Sequence, residues 1–121
     1  MDSLSWKKVE SMNKYYPDLW KLIKVNGTDP HYRIFGVWYG TYSRGESWRM
    51  NSGIVGVEET ETDYIFTGYT GSEYTCGKSR YGSNTYGYNM MHILIKDSDG
   101  TMEAIEDMPQ DIMNIDWIIS K

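Results

Sequence analysis

The sequence contains few of the residues from which catalytic and metal sites are usually built. Cys76 is the single cysteine among 121 residues, which excludes an intrachain disulfide and a cluster of thiolate ligands. A lone cysteine of this kind is most simply a small core hydrophobe. The two histidines, His31 and His92, have no second histidine or cysteine at ligand spacing. Each is therefore interpreted as a residue of a β-sheet, and no metal site is predicted.

Long hydrophobic runs are also missing. No segment approaches the roughly 18 apolar residues of a membrane helix, and the start, MDSLSWKKVE, lacks the apolar stretch of a signal peptide. We therefore expect a soluble cytoplasmic protein with no membrane partner. A length of 121 residues predicts one globular domain spanning 1–121.

The sequence motifs that resemble catalytic or phosphate-binding sites are incomplete. Gly77-Lys78-Ser79 has the form of the end of a phosphate-binding loop, but Ser72 stands where that loop needs glycine. The carboxylates between 58 and 63 crowd a predicted exposed hairpin tip, where the pKa of a carboxyl group is seldom tuned for catalysis. We therefore predict a binding protein that is not an enzyme and has no cofactor.

The net charge of −5 is unevenly distributed along the chain. Residues 57–75 have a net charge of −5 and residues 97–121 of −6, whereas 76–96 have +3. Duplex DNA requires a continuous basic footprint, so the chain is a poor candidate for binding it. The acidic blocks either engage a basic partner or form a solvated surface.

Glycine and aromatic residues are concentrated in the stretch 36–87, which contains ten of the twelve glycines as well as Trp38 and Trp48. This composition, interrupted by polar turns, is typical of a twisted antiparallel sheet. The fold predicted is α+β, with an antiparallel meander of about six or seven strands and one helix at each end of the chain packed on it.

The predicted elements follow from hydrophobic periodicity. Asp2 or Ser3 caps a helix that includes Trp6 and Tyr16. Leu19–Val25 fits a helix or a strand, and a strand is favoured by the Asn26-Gly27 turn that follows. Further strands are predicted at about 31–41, 47–58, 64–69, 73–76, 91–96 and 101–105. Within the predicted strand at 47–58, Gly53 and Gly56 indicate a bulge or bend.

The remaining segments are a loop and a C-terminal helix. Residues 77–89 show no period and are polar, which predicts a long ordered loop of the kind that often has a functional role. Asp107 and Gln110 have the spacing of a capping box. The apolar stripe of the helix that follows is formed by Met108, Ile112, Ile115 and Ile119.

An aromatic and polar set on the predicted sheet supplies the candidate binding residues. Tyr and Trp offer rigid contact area, and Arg offers a planar fork for carboxylate or phosphate; the same residue types stack bases. The alternative is that Trp48 and the tyrosines fill the faces of the sheet. The set consists of Trp48, Arg49, Asn51, Tyr69, Ser72, Tyr74, Arg80 and Tyr81.

The chain resembles a known group of proteins in two runs of its sequence, WYGTYSRGESWRMNSGI and FTGYTGSEYTCGKSRYG. In the order of its motifs, W-Y-G, S-W-R-x-N-S-G-I and G-Y-T-G-S-x-Y-x-C-x-K, it resembles small uncharacterised proteins of large tailed bacteriophages over roughly residues 19–87. The resemblance implies a viral origin and a location in the cytoplasm of the bacterial host, and it assigns no functional residue.

Three functions are compatible with these observations. The first is a phage inhibitor of a bacterial defence system that binds a host protein stoichiometrically without catalysis. The second is a sponge that sequesters a nucleotide-derived immune signal among Trp48, Arg49, Tyr69, Tyr74 and Arg80, at the interface of a homo-oligomer. The third is a nucleotide-acting enzyme. This function is disfavoured because no set of catalytic residues is recognised in the sequence.

Overall fold

The protein contains two four-stranded sheets in the computed structural model, which describes residues 13–40 and 45–117. In spatial order, the first sheet comprises β1 (Lys14–Tyr15), β7 (Glu73–Gly77), β6 (Asp63–Gly68) and β5 (Ile54–Glu59). The second comprises β4 (Ser47–Met50), β3 (His31–Trp38), β2 (Leu19–Val25) and β8 (Met102–Ala104). Neighbouring strands are antiparallel except β1 and β7, which are parallel. The predicted α+β class is confirmed.

The two sheets share one hydrophobic core. Trp20 and Leu22 of β2 pack in it with Phe66 of β6 and Cys76 of β7. Since side chains alternate along a strand, the other face of β2 presents Ile23, which belongs to a second cluster. Leu19–Val25 buries apolar side chains on both of its faces, which explains why apolar and polar residues do not alternate along this strand. The prediction of a strand for this segment is confirmed.

The second cluster lies under one helix, α1 (Thr85–Asp97). Asn84 caps it, because its Oδ1 accepts a hydrogen bond from the Gly87 amide at 2.8 Å. The predicted strand at about 91–96 is therefore wrong. The loop predicted over 77–89 ends at Asn84, where the helix begins. Met91, Leu94 and Ile95 recur at helical spacing and pack on the second sheet.

The predicted meander is wrong between β4 and β5, because the predicted strand 47–58 is two strands in different sheets. The strands β5, β6 and β7 do form an antiparallel meander. The chain leaves the second sheet after β4 and enters the first at β5. Gly53 lies at this crossing with φ +149, a conformation that other residues rarely adopt. A register shift between Ile54 and Gly56 marks a bulge in β5.

The helices predicted at the two ends are not confirmed. In the described part of 107–119, the only helical element is a 3-10 turn, Ile112–Asn114. Ile112 and Trp117 are both buried in the core between the sheets, which requires a spacing that a continuous helix does not provide. The N-terminal helix falls mainly in 1–12, outside the described residues, and Lys14–Tyr15 is a strand.

The helices of the described residues include none long and apolar enough to cross a membrane.

Alanine at Gly87 tests the close packing of α1 on the second sheet. A Cβ there would lie 2.7 Å from Val37 Cγ2 and would overlap Ser83 Oγ. Alanine favours a helix by about 1 kcal/mol over glycine, but overpacking costs about 1–3 kcal/mol. We expect Gly87→Ala to lower the free energy of unfolding by about 1 kcal/mol in urea denaturation. Gly56→Ala, whose Cβ would meet nothing within 4 Å, should change it by less than about 0.5 kcal/mol; equal effects would contradict the prediction.

Candidate functional site

A cavity of about 350 Å³ opens where the chain crosses from one sheet to the other. It brings together the start of β3, the start of β5 and the residue that follows β6. Its lining is formed by Asp29, His31, Arg33, Ser52, Gly53, Ile54, Val55 and Tyr69. We call this cavity the Arg33 pocket. Its volume lies at the lower end of the range of small-molecule sites, about 300–1,000 Å³.

A chain of hydrogen bonds fixes the polar wall of the Arg33 pocket. Arg33 Nε donates to His31 Nε2 at 2.9 Å, so that this nitrogen has no proton. His31 Nδ1 then donates to the Asp29 carbonyl oxygen at 2.7 Å. Both ring nitrogens are therefore occupied, and the imidazole holds the guanidinium in a fixed orientation.

The terminal nitrogens of Arg33 remain available to a ligand. Within the described part of the chain they donate no hydrogen bond to the protein, and no carboxylate lies within 4 Å of them. Burial lowers the pKa of Arg33 below its usual value, but a guanidinium stays protonated at neutral pH. The pocket therefore presents a partly buried positive charge with free donors.

Gly53 lies in the opposite wall, and Asn51 anchors the segment that leads to it. Asn51 is 7 % exposed, and its Oδ1 accepts from the Ile34 amide at 2.9 Å, which ties the crossing segment to β3. The Gly53 carbonyl accepts from the Tyr69 amide at 2.7 Å and so places Tyr69 at the rim. The ring of Tyr69 is 76 % exposed and can stack on a planar ligand. Asn51 Nδ2 has no hydrogen-bond partner in the described part of the chain.

Of the eight residues predicted from the sequence, Tyr69 alone lines the Arg33 pocket. Asn51 and Ser72 adjoin it, because the side-chain nitrogen of Asn51 and the carbonyl of Ser72 both approach Gly68, the last residue of β6. Asn51 has a structural role at the crossing, and Ser72 contributes its carbonyl to the Gly68 amide at 2.7 Å.

Trp48 and Arg49 line a separate, shallow groove of about 270 Å³ with Tyr15, Trp38 and Ser47. Arg49 Cζ lies 4.5 Å from the ring centre of Tyr15, a cation–π contact. Trp48 stacks on Phe35 at a ring-centre distance of 5.3 Å. The groove lies away from the Arg33 pocket, and the two do not share a residue among those described.

Tyr74 and Tyr81 are parts of the core. Tyr74 is 1 % exposed, and burial raises its pKa to about 12, against the opposing charge of Arg49. Tyr81 OH donates to the Ile105 carbonyl at 2.6 Å and accepts from the Leu22 amide at 3.2 Å; burial also raises its pKa to about 12. The side chain of Arg80 packs beside Gly77, and its backbone bonds to Trp20.

Sequence reasoning missed Asp29, His31 and Arg33. One available signal was the placement of His31 and Arg33 on the same face of a strand whose other residues are mostly apolar. Two polar side chains at that spacing can contact each other directly. Neither residue type nor spacing indicates that residues 52–55 and 69 complete the pocket.

The described residues contain no group of three or more His, Cys, Asp or Glu side chains arranged to hold a metal ion. Comparison of the chain with protein-family models, with curated proteins and with solved structures gives no significant match.

Proposed function

We propose that this is a non-enzymatic binding protein that sequesters an anionic, ring-containing small molecule of the nucleotide class in the Arg33 pocket. The observation that supports this proposal most strongly is the orientation of Arg33. His31 holds Nε at 2.9 Å, and both terminal nitrogens remain free in the described part of the chain. A guanidinium presented in this way matches two oxygens of a phosphate.

Tyr69 supplies the complementary contact for the ring. Its exposed side chain at the rim offers a flat face, and stacking of a base on an aromatic residue contributes about 1–3 kcal/mol. The exposed Ser52 adds a hydroxyl at the same opening, whereas the exposed Asp29 adds a carboxylate whose charge opposes the phosphate. A cavity of about 350 Å³ suits one nucleotide-sized unit.

The state of His31 favours binding over catalysis. A general base needs a free lone pair within reach of its substrate. Here Nε2 accepts from Arg33 and Nδ1 donates to the Asp29 carbonyl, so the imidazole serves to position the guanidinium.

The resemblance to phage proteins supplies the biological setting of this proposal. A phage protein that captures a nucleotide-derived immune signal in the bacterial cytoplasm would antagonise the defence system that makes the signal. The burial of Tyr74, together with the hydrogen-bonded Tyr81, favours a small molecule over a host protein. Those rings offer little aromatic surface to a protein partner.

A host defence protein is the second candidate ligand. The observation in its favour is the hairpin between β5 and β6, where Glu58, Glu59 and Glu61 are exposed. Lys78 pairs with Glu59 at 2.7 Å, which leaves a net negative tip for a basic partner. Binding through this tip should weaken with salt.

Native mass spectrometry of the protein purified from bacterial cells separates the two candidates. A small-molecule mass released on denaturation supports sequestration and identifies the ligand, while the intact mass gives the oligomeric state. A complex with a host protein supports the second candidate. If the purified protein carries neither ligand, calorimetric titration with adenosine 5′-monophosphate and the other mononucleotides tests the first candidate.

Replacement of Arg33 tests the site directly. We expect Arg33→Ala to weaken mononucleotide binding at least about tenfold, because one charge-assisted contact contributes about 1.5–3 kcal/mol. Arg33→Lys should recover only part of the affinity, because lysine lacks the planar fork. Arg80→Ala removes an exposed arginine outside the pocket and is the matched control. A folded Arg33→Ala protein with unchanged affinity would contradict the assignment of the pocket.

A further inference from the structure

Asp29 is a negatively charged residue in the lining of the Arg33 pocket. Its side chain is exposed at the opening. Within residues 13–40 and 45–117, its carboxylate accepts no hydrogen bond from the protein, and no Lys, Arg or His nitrogen lies within 4 Å of it. A carboxylate beside an anion site lowers the affinity for the anion. A ligand that used only Arg33 would therefore bind better without Asp29.

His31 holds the two charged residues of the pocket apart. Its Nδ1 donates to the Asp29 carbonyl oxygen at 2.7 Å, and its Nε2 accepts from Arg33 Nε at 2.9 Å. The imidazole thus stands between residue 29 and the guanidinium. Gly53 packs against the edge of the ring, because a Cβ at Gly53 would lie 3.3 Å from His31 Cδ2. These contacts fix the order Asp29, imidazole, Arg33 along the wall.

This order suits a ligand that carries an anion at one end and hydroxyl groups at a distance from it. The guanidinium of Arg33 matches two oxygens of a phosphate, whereas a carboxylate accepts hydrogen bonds from hydroxyl groups. In a ribonucleotide, the sugar that joins the phosphate to the base carries two neighbouring hydroxyls, and acidic side chains bind such hydroxyls in dinucleotide-binding folds. An α-amino acid also carries an anion and donors, but only one carbon atom separates them, whereas a whole imidazole separates Arg33 from Asp29.

We propose that Asp29 accepts hydrogen bonds from the ribose hydroxyls of the ligand and makes the Arg33 pocket selective for ribonucleotides over deoxyribonucleotides. This inference rests on the function proposed above and narrows its ligand class. Arg33 binds the phosphate, Asp29 binds the sugar and Tyr69 stacks on the base. The base itself is not specified, because stacking on a tyrosine accepts any base.

Paired calorimetric titrations with adenosine 5′-monophosphate and its 2′-deoxy analogue test the selectivity. We expect the wild type to bind the ribonucleotide about tenfold more tightly, as for one charge-assisted hydrogen bond. In Asp29→Asn the two affinities should become nearly equal, and they should change in opposite directions. The ribonucleotide loses a charge-assisted contact, whereas the deoxyribonucleotide loses only the charge that opposes its phosphate.

Two further variants locate the effect. Asp97→Asn removes an exposed carboxylate at the end of α1, outside the pocket, and should change neither affinity. Arg33→Ala should weaken both ligands by the same factor, because both carry the phosphate. Partial unfolding cannot produce the expected result in Asp29→Asn, since it would weaken both ligands together.

The outcomes distinguish this inference from the function on which it rests. A preference for the ribonucleotide that is lost in Asp29→Asn and kept in Asp97→Asn supports the role of Asp29. Equal affinity of the wild type for the two ligands, with both weakened in Arg33→Ala, would overturn that role and leave nucleotide sequestration standing. A preference that persists in Asp29→Asn would overturn it as well. Binding of neither ligand by the wild type would overturn both proposals.

Discussion

Trp20→Ala should lower the free energy of unfolding by about 3–5 kcal/mol, because it removes a large ring from the centre of the core. Trp20 is fully buried in β2 and contacts Phe66 of β6 at a ring-centre distance of 5.4 Å. Its Nε1 donates to the Gly77 carbonyl of β7 at 2.7 Å. One side chain thus joins the two sheets through both packing and a hydrogen bond. For a domain of this size, such a loss is a large part of the total stability.

Equilibrium urea unfolding measures this effect, and two further variants separate its parts. Trp20→Phe keeps an aromatic ring and removes the hydrogen bond from Nε1 to the Gly77 carbonyl, which still accepts from the Arg80 amide at 3.0 Å. The lost hydrogen bond should cost about 0.5–1.5 kcal/mol. Trp48→Ala is the matched tryptophan control, because Trp48 is half-buried on the outer face of the second sheet. If Trp20→Ala destabilises the protein no more than Trp48→Ala, Trp20 does not join the sheets as described.

Alkaline pH should unfold the protein through Tyr74 and Tyr81. Burial raises the pKa of each phenol from 10.0 to about 12 in the folded chain. The folded state therefore holds these protons more tightly than the unfolded state. The stability they contribute is complete below pH 10 and is lost as the pH rises from about 10 to about 12.

The size of the alkaline effect follows from the pKa shifts. One pKa unit corresponds to about 1.4 kcal/mol, so a pKa raised from 10.0 to about 12 corresponds to a loss of about 3 kcal/mol from the buried Tyr74. The loss from Tyr81 should be smaller, because its ring is only half-buried. Circular dichroism and tyrosinate absorbance recorded against pH measure unfolding and ionisation together.

Two variants locate the alkaline transition. Tyr81→Phe should reduce the pH dependence above pH 10, although it also removes the hydrogen bonds to Leu22 and Ile105 and so lowers stability at neutral pH. Tyr69→Phe, at the exposed rim, should leave the transition unchanged. Full ionisation of the tyrosines near pH 10 without loss of circular dichroism would show that neither phenol is buried as described.

The predicted strands succeeded where a local pattern was sufficient. Leu19–Val25 is a strand, and β6 and β7 lie within a residue of their predicted bounds. Each is a short apolar run between turn residues. That pattern indicates a buried strand whichever sheet the strand belongs to. The helix α1 was missed because the run MHILIK fits a buried strand as well as a helix. Its identity depends on the Asn84 cap and on close packing of Gly87 against Val37.

The sequence by itself determined the α+β class and the mostly antiparallel pairing of the strands, because these depend on composition and short-range periodicity. The tertiary structure alone decided that 47–58 crosses between sheets at Gly53, and hence that Arg33, Val55 and Tyr69 line one pocket. It also placed Tyr74 in the core. The physical reason is that such contacts join residues far apart in the chain, whose positions depend on which sheet each strand enters.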